Sequence, residues 1–399
     1  MEPLAPIGHP ETRPKMTSFR SVFFEKSEHI ESPHPSVFFN EKGLRWIGKK
    51  PLSRSFCYRL NEHHFLLMTE HDWVYEQPVF WCRLIEEMIQ VAWNHWRRHH
   101  TQSEFSWEAM IHVASRHILG LISRYPDVVF GYIFTDRWEQ GRYASRQMLI
   151  HALLLGFIAV EHEQRYQKTF FDYTAIQWIQ AALLANIDYA HLVERMMKHD
   201  GELSKKDKTT ISHHPIQESE QLRRSGFNWL CESIEQHHEC TDGSGYPYGL
   251  LSDSIQDEAR ILFINERFAS LIRYRGQRDG LHWSDAKKTL RSEMDAISLD
   301  DGRMAEIFID LLPHYPAGLL VETNTHEWCA VIKNEDHVHD VLMRAIVNFN
   351  GSLYPLNDMT QYRHARKFLN RIVRERIWED VDVLRSESSI FFALFASQI

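Results

Sequence analysis

The chain lacks the features that mark a secreted, disulfide-stabilised protein. Its 399 residues include only five cysteines, an odd number, and no two of them form a C-x-x-C pair. Sparse cysteines of this kind fit a reducing compartment better than a disulfide framework or a cysteine zinc site. The first residues also contain no apolar run of the signal-peptide type. We therefore expect a cytoplasmic protein.

Long apolar runs and an excess of positive charge are missing as well. No stretch reads as the roughly 18 consecutive apolar residues of a membrane span, so none is predicted. The 45 lysines and arginines are outnumbered by 54 acidic residues, which gives a net charge of -9. General nucleic-acid binders need a local excess of basic residues to neutralise phosphates, so neither DNA nor RNA is an expected partner.

The pattern of apolar residues predicts a mainly α fold, a helical bundle with a small β element near the C-terminus. From Trp81 onward apolar residues recur every three or four positions, which places them on one helix face. Residues 175–184 are apolar on nearly all sides, which predicts a central helix. Residues 315–335 are typical of a hairpin, and residues 346–358 of one further strand.

Composition divides the chain into four predicted segments. The N-terminal part is an α+β or partly irregular region rich in proline, serine and short aromatic runs. The predicted segments are an N-terminal arm or small domain at 1–80, a helical lead-in at 81–135, the main domain at 136–355 and a charged helical tail at 356–399.

One short segment carries most of the functional information. His237, His238 and Glu239 follow apolar residues at helical spacing, which predicts that the two histidines lie at a helix end directed into the core. The segment 242–250 then reads DGSGYPYGL, and its glycines permit a sharp backbone turn.

This segment resembles the HD-GYP signature, in which HHE is followed by DGxGYPxGL, and it matches ten specified letters in fourteen positions. His214-Pro215 stands where that family has a His-Pro ligand motif, and 315–321 resembles a C-terminal strand of the family. The likeness covers about 80–355. It implies an HD-domain-like helical bundle and a relation to cyclic di-GMP phosphodiesterases, which use two or three iron or manganese ions.

Several positions depart from the pattern of that family. Its naming His-Asp pair belongs at the end of an apolar helix, where this chain has Ala185 and Asn186. The family's lysine position holds Tyr189, and a histidine position on an earlier helix holds Gln147. A neutral amide bridges two cations poorly, because closely spaced dications need anionic oxygen between them. No catalytic set is therefore predicted to be intact.

The dipeptide His199-Asp200 also spells HD, but it lies in a polar segment next to Gly201. Its spacing to His214 is much shorter than the family spacing. We interpret it as a solvated loop.

Four candidate metal ligands survive, namely His214, His237, His238 and Glu266. Three imidazoles and one carboxylate suffice in principle for one divalent ion. The alternative is that they are hydrogen-bonded core residues retained from an ancestral site. The prediction is therefore no cofactor, with one iron or manganese ion as the alternative.

The function predicted from these features is a catalytically inactive or strongly impaired HD-GYP protein in cyclic di-GMP signalling. Its partners would be GGDEF-domain diguanylate cyclases or other signalling proteins, with cyclic di-GMP as a ligand. The residues predicted to contact a partner are Asp242, Gly243, Gly245, Tyr246 and Pro247. The alternatives are a residual metal-dependent cyclic di-GMP phosphodiesterase and a structural homodimer that uses the aromatic-rich N-terminal region.

Overall fold

A computed structural model provides the structure of the chain. The parts that it describes are four strands between residues 36 and 68, helical positions between 82 and 96, residues 107–135, 143–187, 204–272, 280–334 and 341–350, Ser352, Tyr354, and two strands at 362–365 and 372–376. The chain divides into two compact units, residues 1–117 and 118–398.

The first unit contains two antiparallel hairpins and helical segments. The hairpins pair β1 (Ser36–Asn40) with β2 (Gly43–Ile47) and β3 (Phe56–Asn61) with β4 (His64–Met68). The described apolar residues at helical positions between 82 and 96 belong to the predicted stripe or lie next to it, and all of them are buried. Within this unit the Trp96 and Trp107 rings meet edge to face at 4.6 Å, a favourable aromatic geometry.

The second unit is a helical bundle with a sheet at its C-terminal end, while helix α1 contains the division between the two units. The helices are α1 (Trp107–Arg124), α2 (Pro126–Thr135), α3 (Tyr143–Tyr166), α4 (Ala175–Leu184), α5 (Lys205–Arg224), α6 (Cys231–Gln236), α7 (Asp257–Leu271), α8 (Trp283–Ile297) and α9 (Leu299–Leu311). Short 3-10 turns lie at Asn228–Leu230 and Ser252–Ser254.

Helices α3 and α4 form the centre of the bundle. The backbone N–H of Thr174 donates to Gln177 Oε1 at 3.0 Å, which fixes the start of α4. Eight of the ten residues of α4 are buried, as expected for a helix that is apolar on nearly all sides. Gly156 lets the two helices approach closely, because a Cβ at this position would lie 2.5 Å from Ile179 and 2.8 Å from Ile122.

The elements that carry the signature residues contact one another at one end of the bundle. Helix α5 packs against α6, α6 packs against α7, and α7 packs against α3. The C-terminus of α4 lies in the same region, because Asn186 hydrogen bonds to residues of α5 and α7. The polar side chains of four helices are thus gathered within a largely apolar core.

A five-stranded antiparallel sheet follows the helices, in the order β8-β7-β6-β5-β9. Its strands are β5 (Leu320–Thr323), β6 (Trp328–Asn334), β7 (Val341–Val347), β8 (Tyr362–Ala365) and β9 (Ile372–Arg376). Glu375 on β9 accepts hydrogen bonds from the backbone N–H of Ser284 at 3.1 and 3.2 Å. This carboxylate therefore caps the N-terminus of α8, where the exposed N–H groups favour negative charge.

The prediction of a mainly helical fold with a small β element near the C-terminus is confirmed. The hairpin expected at 315–335 is β5 and β6, but the further strand runs over Val341–Val347, earlier than expected. The helical tail predicted for 356–399 is wrong at Tyr362–Ala365 and Ile372–Arg376, which are strands. Charge in that segment favoured a helix, but backbone pairing with β7 and β5 decides its conformation. The four predicted segment boundaries stay predictions.

One helix is long and apolar enough by composition to cross a bilayer, although none was expected from the sequence. It runs over Ala144–Tyr166, and 89% of its apolar window is buried within the protein. The central helix of a helical bundle has this degree of burial.

The close contact at Gly156 gives a test of the packing between α3 and α4. We expect Gly156→Val to lower the free energy of unfolding by about 1–3 kcal/mol, because the added methyl groups overlap buried isoleucines. Gln164→Val, at an exposed position of the same helix, controls for the helix propensity of valine. Urea unfolding would measure both variants, and equal losses would contradict the packing argument.

Candidate functional site

The first ligand candidate, His214, is oriented by the proline that follows it. Pro215 lies inside α5 and has no N–H, so the Ile211 carbonyl four residues earlier has no main-chain partner in the helix. The Nδ1 of His214 lies 2.6 Å from this carbonyl oxygen. A carbonyl oxygen only accepts, so Nδ1 carries the proton and donates. The Nε2 lone pair of a neutral His214 is therefore directed away from the helix backbone.

The second candidate, His237, is oriented by the end of α6 in the same way. The last carbonyls of a helix have no main-chain partners, and the Ile234 oxygen is one of them. His237 Nδ1 donates to that oxygen at 2.6 Å, which leaves Nε2 unprotonated in the neutral ring. The ligand nitrogens of His214, His237 and His238 lie within 4.8 Å of one another. The prediction that the histidine pair lies at a helix end directed into the core agrees with this geometry.

Asn186 lies at the centre of the cluster. Its Nδ2 donates to Glu266 Oε2 at 3.0 Å, and its Oδ1 lies 3.2 Å from His238 Nε2 and 3.5 Å from His237 Nε2. The donor must face Glu266 because a carboxylate only accepts, and this assigns the orientation of the amide. His238 Nε2 then donates to Asn186 Oδ1. The backbone of Asn186 has φ 73°, a conformation that asparagine tolerates better than most residues.

Two carboxylates lie beside the histidines, and each accepts a hydrogen bond from Asn186. Glu266 on α7 has Oε2 3.9 Å from His238 Nε2. Glu218 on α5 is fully buried, and its Oε2 lies 4.0 Å from His214 Nε2 and accepts the backbone N–H of Asn186 at 3.3 Å. Glu218 was not predicted from the sequence. Its spacing of four residues after His214 on one helix is the signal that would have identified it.

Burial favours the neutral form of all three imidazoles. It lowers the pKa of His214 well below its usual value, and the neighbouring His238 and His237 add to this effect. Burial likewise lowers the pKa of His238, together with His237. Burial also lowers the pKa of His237, although Glu266 opposes this change. Each neutral imidazole ring therefore has one N–H donor and one nitrogen lone pair, and it adds little positive charge to the cluster.

The donor set fits one divalent cation. His237 Nε2 and Asn186 Oδ1 are both acceptors and lie 3.5 Å apart, and His214 Nε2 lies 4.0 Å from Glu218 Oε2. Acceptors that converge without intervening protons favour a cation between them. Two carboxylates balance the charge of one dication. A pair of adjacent dications needs an anionic oxygen between them, and the side chain at position 186 is a neutral amide.

The glycine-rich loop after α6 is built around a buried carboxylate. Glu239 accepts the backbone N–H groups of Tyr248 at 2.6 Å and Leu250 at 2.9 Å, which closes the loop onto the helix end. At Gly245 a Cβ would lie 2.3 Å from the Cys240 nitrogen, so only glycine fits there. Asp242 is exposed and accepts from the N–H and hydroxyl of Ser244 at 2.9 and 2.6 Å.

One tyrosine of this loop, Tyr246, contacts the histidine cluster. The rings of Tyr246 and His238 stack with centroids 4.7 Å apart and planes 27° apart, and the Tyr246 ring is half-buried. Its backbone N–H donates to the His238 carbonyl at 3.1 Å. Tyr248 in the loop and Leu251 directly after it face solvent, with 54% and 64% of their surfaces exposed. The loop thus has one side at the cluster and one side at solvent.

The remaining predicted positions are less closely tied to the cluster. Ala185 is buried and ends α4, and its methyl group offers no ligand atom. Gln147 lies near the start of α3 and is half-buried. Tyr189 and the dipeptide His199-Asp200 lie outside the described residues. The predicted roles of these positions, and of the loop residues Asp242, Gly243, Gly245, Tyr246 and Pro247 in partner contact, stay predictions.

Comparison with known protein families identifies the class of this region. Residues 174–301 match the family model described as HD domain, and this range contains Asn186, Glu218, Glu266 and the three histidines. This part of the chain is therefore similar to an HD domain, and the resemblance noted in the sequence is confirmed at that level.

Two curated relatives share this region. A 3'3'-cGAMP-specific phosphodiesterase 1 from Vibrio cholerae serotype O1 is 29% identical over 119 residues, 30% of this chain and 28% of the relative. The cyclic di-GMP phosphodiesterase PdeB of Borreliella burgdorferi is 18% identical over 224 residues, 55% of this chain and 58% of the relative. The similarity thus spans between about a quarter and just over half of the length of these proteins.

A solved structure, Bd1817, a HDG"Y"P protein from Bdellovibrio bacteriovorus, aligns with 73% of this chain and 97% of its own length. The TM-score is 0.33 and the sequence identity is 13%.

The role of Pro215 can be tested through the protonation of His214. In Pro215→Ala the new backbone N–H competes for the Ile211 carbonyl, so the preference of His214 for the Nδ1-protonated form should fall by roughly 1 kcal/mol. Imidazole ¹⁵N chemical shifts of the metal-free protein report this change. His237 is the internal reference because its carbonyl partner is unaltered, and an unchanged His214 would show that Pro215 does not control the ring.

Proposed function

We propose that this chain is a signalling protein that binds a cyclic dinucleotide at a one-cation HD site, that has lost efficient hydrolysis, and that acts through the exposed side of its glycine-rich loop. The proposal is carried by one observation, the neutral amide of Asn186 hydrogen-bonded between Glu266 and the histidines. The names of the two curated relatives support the ligand class, because both are phosphodiesterases of cyclic dinucleotides.

In efficient phosphodiester hydrolysis, metal ions activate a water molecule and stabilise the charge on both the attacking and the leaving oxygen. A pair of cations suits both tasks, and a carboxylate between them holds the pair together. Asn186 supplies no such charge, and Ala185 supplies no ligand atom. A bound divalent cation would supply positive charge to a phosphate oxygen. His214, His237, His238 and the flanking carboxylates would hold that cation.

The protein's own residues suit recognition of a phosphodiester beside an aromatic group. The half-buried ring of Tyr246 lies against His238 at the margin of the cluster, where a nucleobase would find a stacking surface. The exposed side of the same loop presents Tyr248 and Leu251 to solvent. A signalling partner such as a GGDEF domain would contact this side. A ligand that displaces Tyr246 would thereby alter the surface offered to the partner.

The proposal predicts binding without turnover. We expect calorimetric titration of the Mn²⁺-treated full chain to detect cyclic di-GMP or 3'3'-cGAMP. We also expect hydrolysis to be slower than two-metal catalysis by on the order of 10³-fold or more, the rate equivalent of several kcal/mol. Chromatographic detection of linear dinucleotide measures the second quantity. Failure of both nucleotides to bind, or multiple turnovers per second, would contradict the proposal.

A residual metal-dependent phosphodiesterase is the second candidate, and Glu218 favours it. Its carboxylate places an anionic oxygen in the cluster next to Asn186, the position at which the family has an aspartate. Slow hydrolysis that disappears both with a chelator and in His237→Ala would support this candidate. Hydrolysis that survives either treatment would come from a contaminating enzyme.

The charge at position 186 gives a separate test. In Asn186→Asp the donor to Glu266 is replaced by a carboxylate oxygen, and Glu218 still lies against the backbone N–H of the same residue, so we expect the metal-free protein to lose about 3 kcal/mol of stability. Mn²⁺ should restore much of this loss, because a cation neutralises the added charge. Thermal unfolding with and without chelator measures both effects, and the same change at exposed Asn228 is the control. Equal stability of the metal-free wild type and Asn186→Asp would contradict this account.

A further inference from the structure

A cleft lies at the start of α8, where this helix meets the C-terminal sheet. Its volume is about 540 Å³, and its walls come from the first turns of α8, the connection between α9 and β5, and strand β9. None of the residues that line it belongs to the histidine cluster. Clefts of several hundred Å³ with a few polar groups in their walls are typical of small-molecule sites.

Lys287 brings a positive charge to this cleft. It is half-buried, its Nζ donates to the Pro313 carbonyl at 3.1 Å, and the same atom lies 5.2 Å from the centre of the Trp283 ring. The ion pairs among the described residues do not include Lys287. Lys288, the next residue, instead pairs with Asp285 at 3.1 Å. An ammonium group has three hydrogens to donate, so Lys287 retains hydrogens for a ligand.

The surroundings of Lys287 favour contact with an anion. Burial lowers the pKa of Lys287 to about 8, although Glu375 and Asp310 oppose this change. The other titratable groups that line the cleft are His282, Asp285, His314 and Tyr315. A half-buried ammonium is stabilised by an anion that touches it, and such an anion raises the pKa of the amine. Anion affinity should therefore be highest below about pH 8 and should fall as the pH rises above that value.

A carboxylate of the chain itself already uses a second donor of the cleft. Both oxygens of Glu375 accept the backbone N–H of Ser284, at 3.1 and 3.2 Å. The start of a helix favours negative charge, so this contact holds the Glu375 carboxylate at α8. An anion that entered the cleft beside Lys287 would be repelled by Glu375. The two would therefore compete for the donors of this region.

The residue that precedes α8 adds a polar atom without a partner. His282 lines the cleft, and its Nδ1 is buried and forms no hydrogen bond within the described part of the chain. Buried polar atoms in proteins are nearly always hydrogen-bonded, to protein, water or ligand. An oxygen of a bound anion would accept a hydrogen bond from this nitrogen in its protonated form.

We propose that this cleft binds a small organic anion, a molecule that carries a carboxylate or phosphate group, with Lys287 as its counter-ion and Glu375 as a competing internal carboxylate. The volume is larger than a bare inorganic ion needs, so the rest of the ligand fills the cleft beside Tyr315 and Ile372. The inference does not depend on the proposed function, because the two sites share no residue.

Competitive acetylation of the full chain, read by tandem mass spectrometry of its peptides, tests this site. Only a neutral amine reacts, so an anion that raises the pKa of Lys287 slows its acetylation. At pH 8 we expect citrate or inorganic phosphate to slow Lys287 at least about threefold relative to sodium chloride of equal ionic strength. The exposed neighbour Lys288 is the internal control and should not change.

The two probes distinguish the two kinds of anion. Protection of Lys287 by citrate alone assigns a carboxylate ligand, protection by phosphate alone assigns a phosphate ligand, and protection by both assigns an anion site that accepts either group. Equal slowing of Lys287 and Lys288, or no slowing with either probe, overturns the inference.

Glu375→Gln separates competition from structural support. If Glu375 competes with the ligand, the variant loses the competing charge and keeps a side chain of similar size, so a severalfold lower probe concentration should protect Lys287. Weaker protection in this variant overturns the inference. Glu220→Gln, at an exposed position outside the cleft, controls for the change in net charge.

Thermal unfolding gives a second measurement that does not require acetylation of Lys287. The probe that protects Lys287 should raise the unfolding temperature of the wild type and of Lys288→Gln, because it binds the folded state. Lys287→Gln should gain at most a small part of this increase, even if the variant is less stable at the outset. An equal increase in Lys287→Gln would show that the anion binds elsewhere and would overturn the inference.

Discussion

The arrangement of the site depends on one neutral amide. Asn186 contacts Glu218, Glu266 and the histidine pair at once, with donors directed to the carboxylates and its oxygen directed to the imidazoles. An aspartate in this position would place three carboxylates together. The amide therefore makes the metal-free cluster electrostatically tolerable, and it removes the anionic bridge that a pair of cations needs. A neutral side chain at position 186 favours stability of the metal-free protein, whereas two-metal chemistry requires an anionic side chain there.

Backbone carbonyls that lack helical partners organise the rest of the cluster. Pro215 leaves one carbonyl within α5 without a helical N–H partner, and the end of α6 leaves another. Each of these carbonyls accepts a hydrogen bond from the Nδ1–H of a histidine. These hydrogen bonds fix which ring nitrogen carries a lone pair, independently of any metal. The His-Pro dipeptide thus has a structural meaning in this chain, because the proline creates the acceptor that orients the histidine.

The sequence predicted the helical class, the location of the histidine pair at a helix end and the positions of Ala185 and Asn186. These features depend on the local spacing of apolar residues and on a short motif with many specified positions, and both can be recognised from the sequence alone. Glu218 was missed because a single glutamate on a polar helix usually faces solvent, and its burial depends on how α5 packs against its neighbours. The strands at Tyr362–Ala365 and Ile372–Arg376 were missed because their partners are distant in sequence.

The placement of those two strands has a practical consequence for anyone who shortens the protein. Strands β8 and β9 lie on opposite edges of the sheet, next to β7 and β5. A chain cut after residue 355 would expose both inner strands along their length, and unpaired strand edges are templates for association between molecules. The same cut would remove the Glu375 cap from α8. Strands β8 and β9 therefore cover the edges of the inner strands and should be kept in any recombinant fragment that contains the sheet.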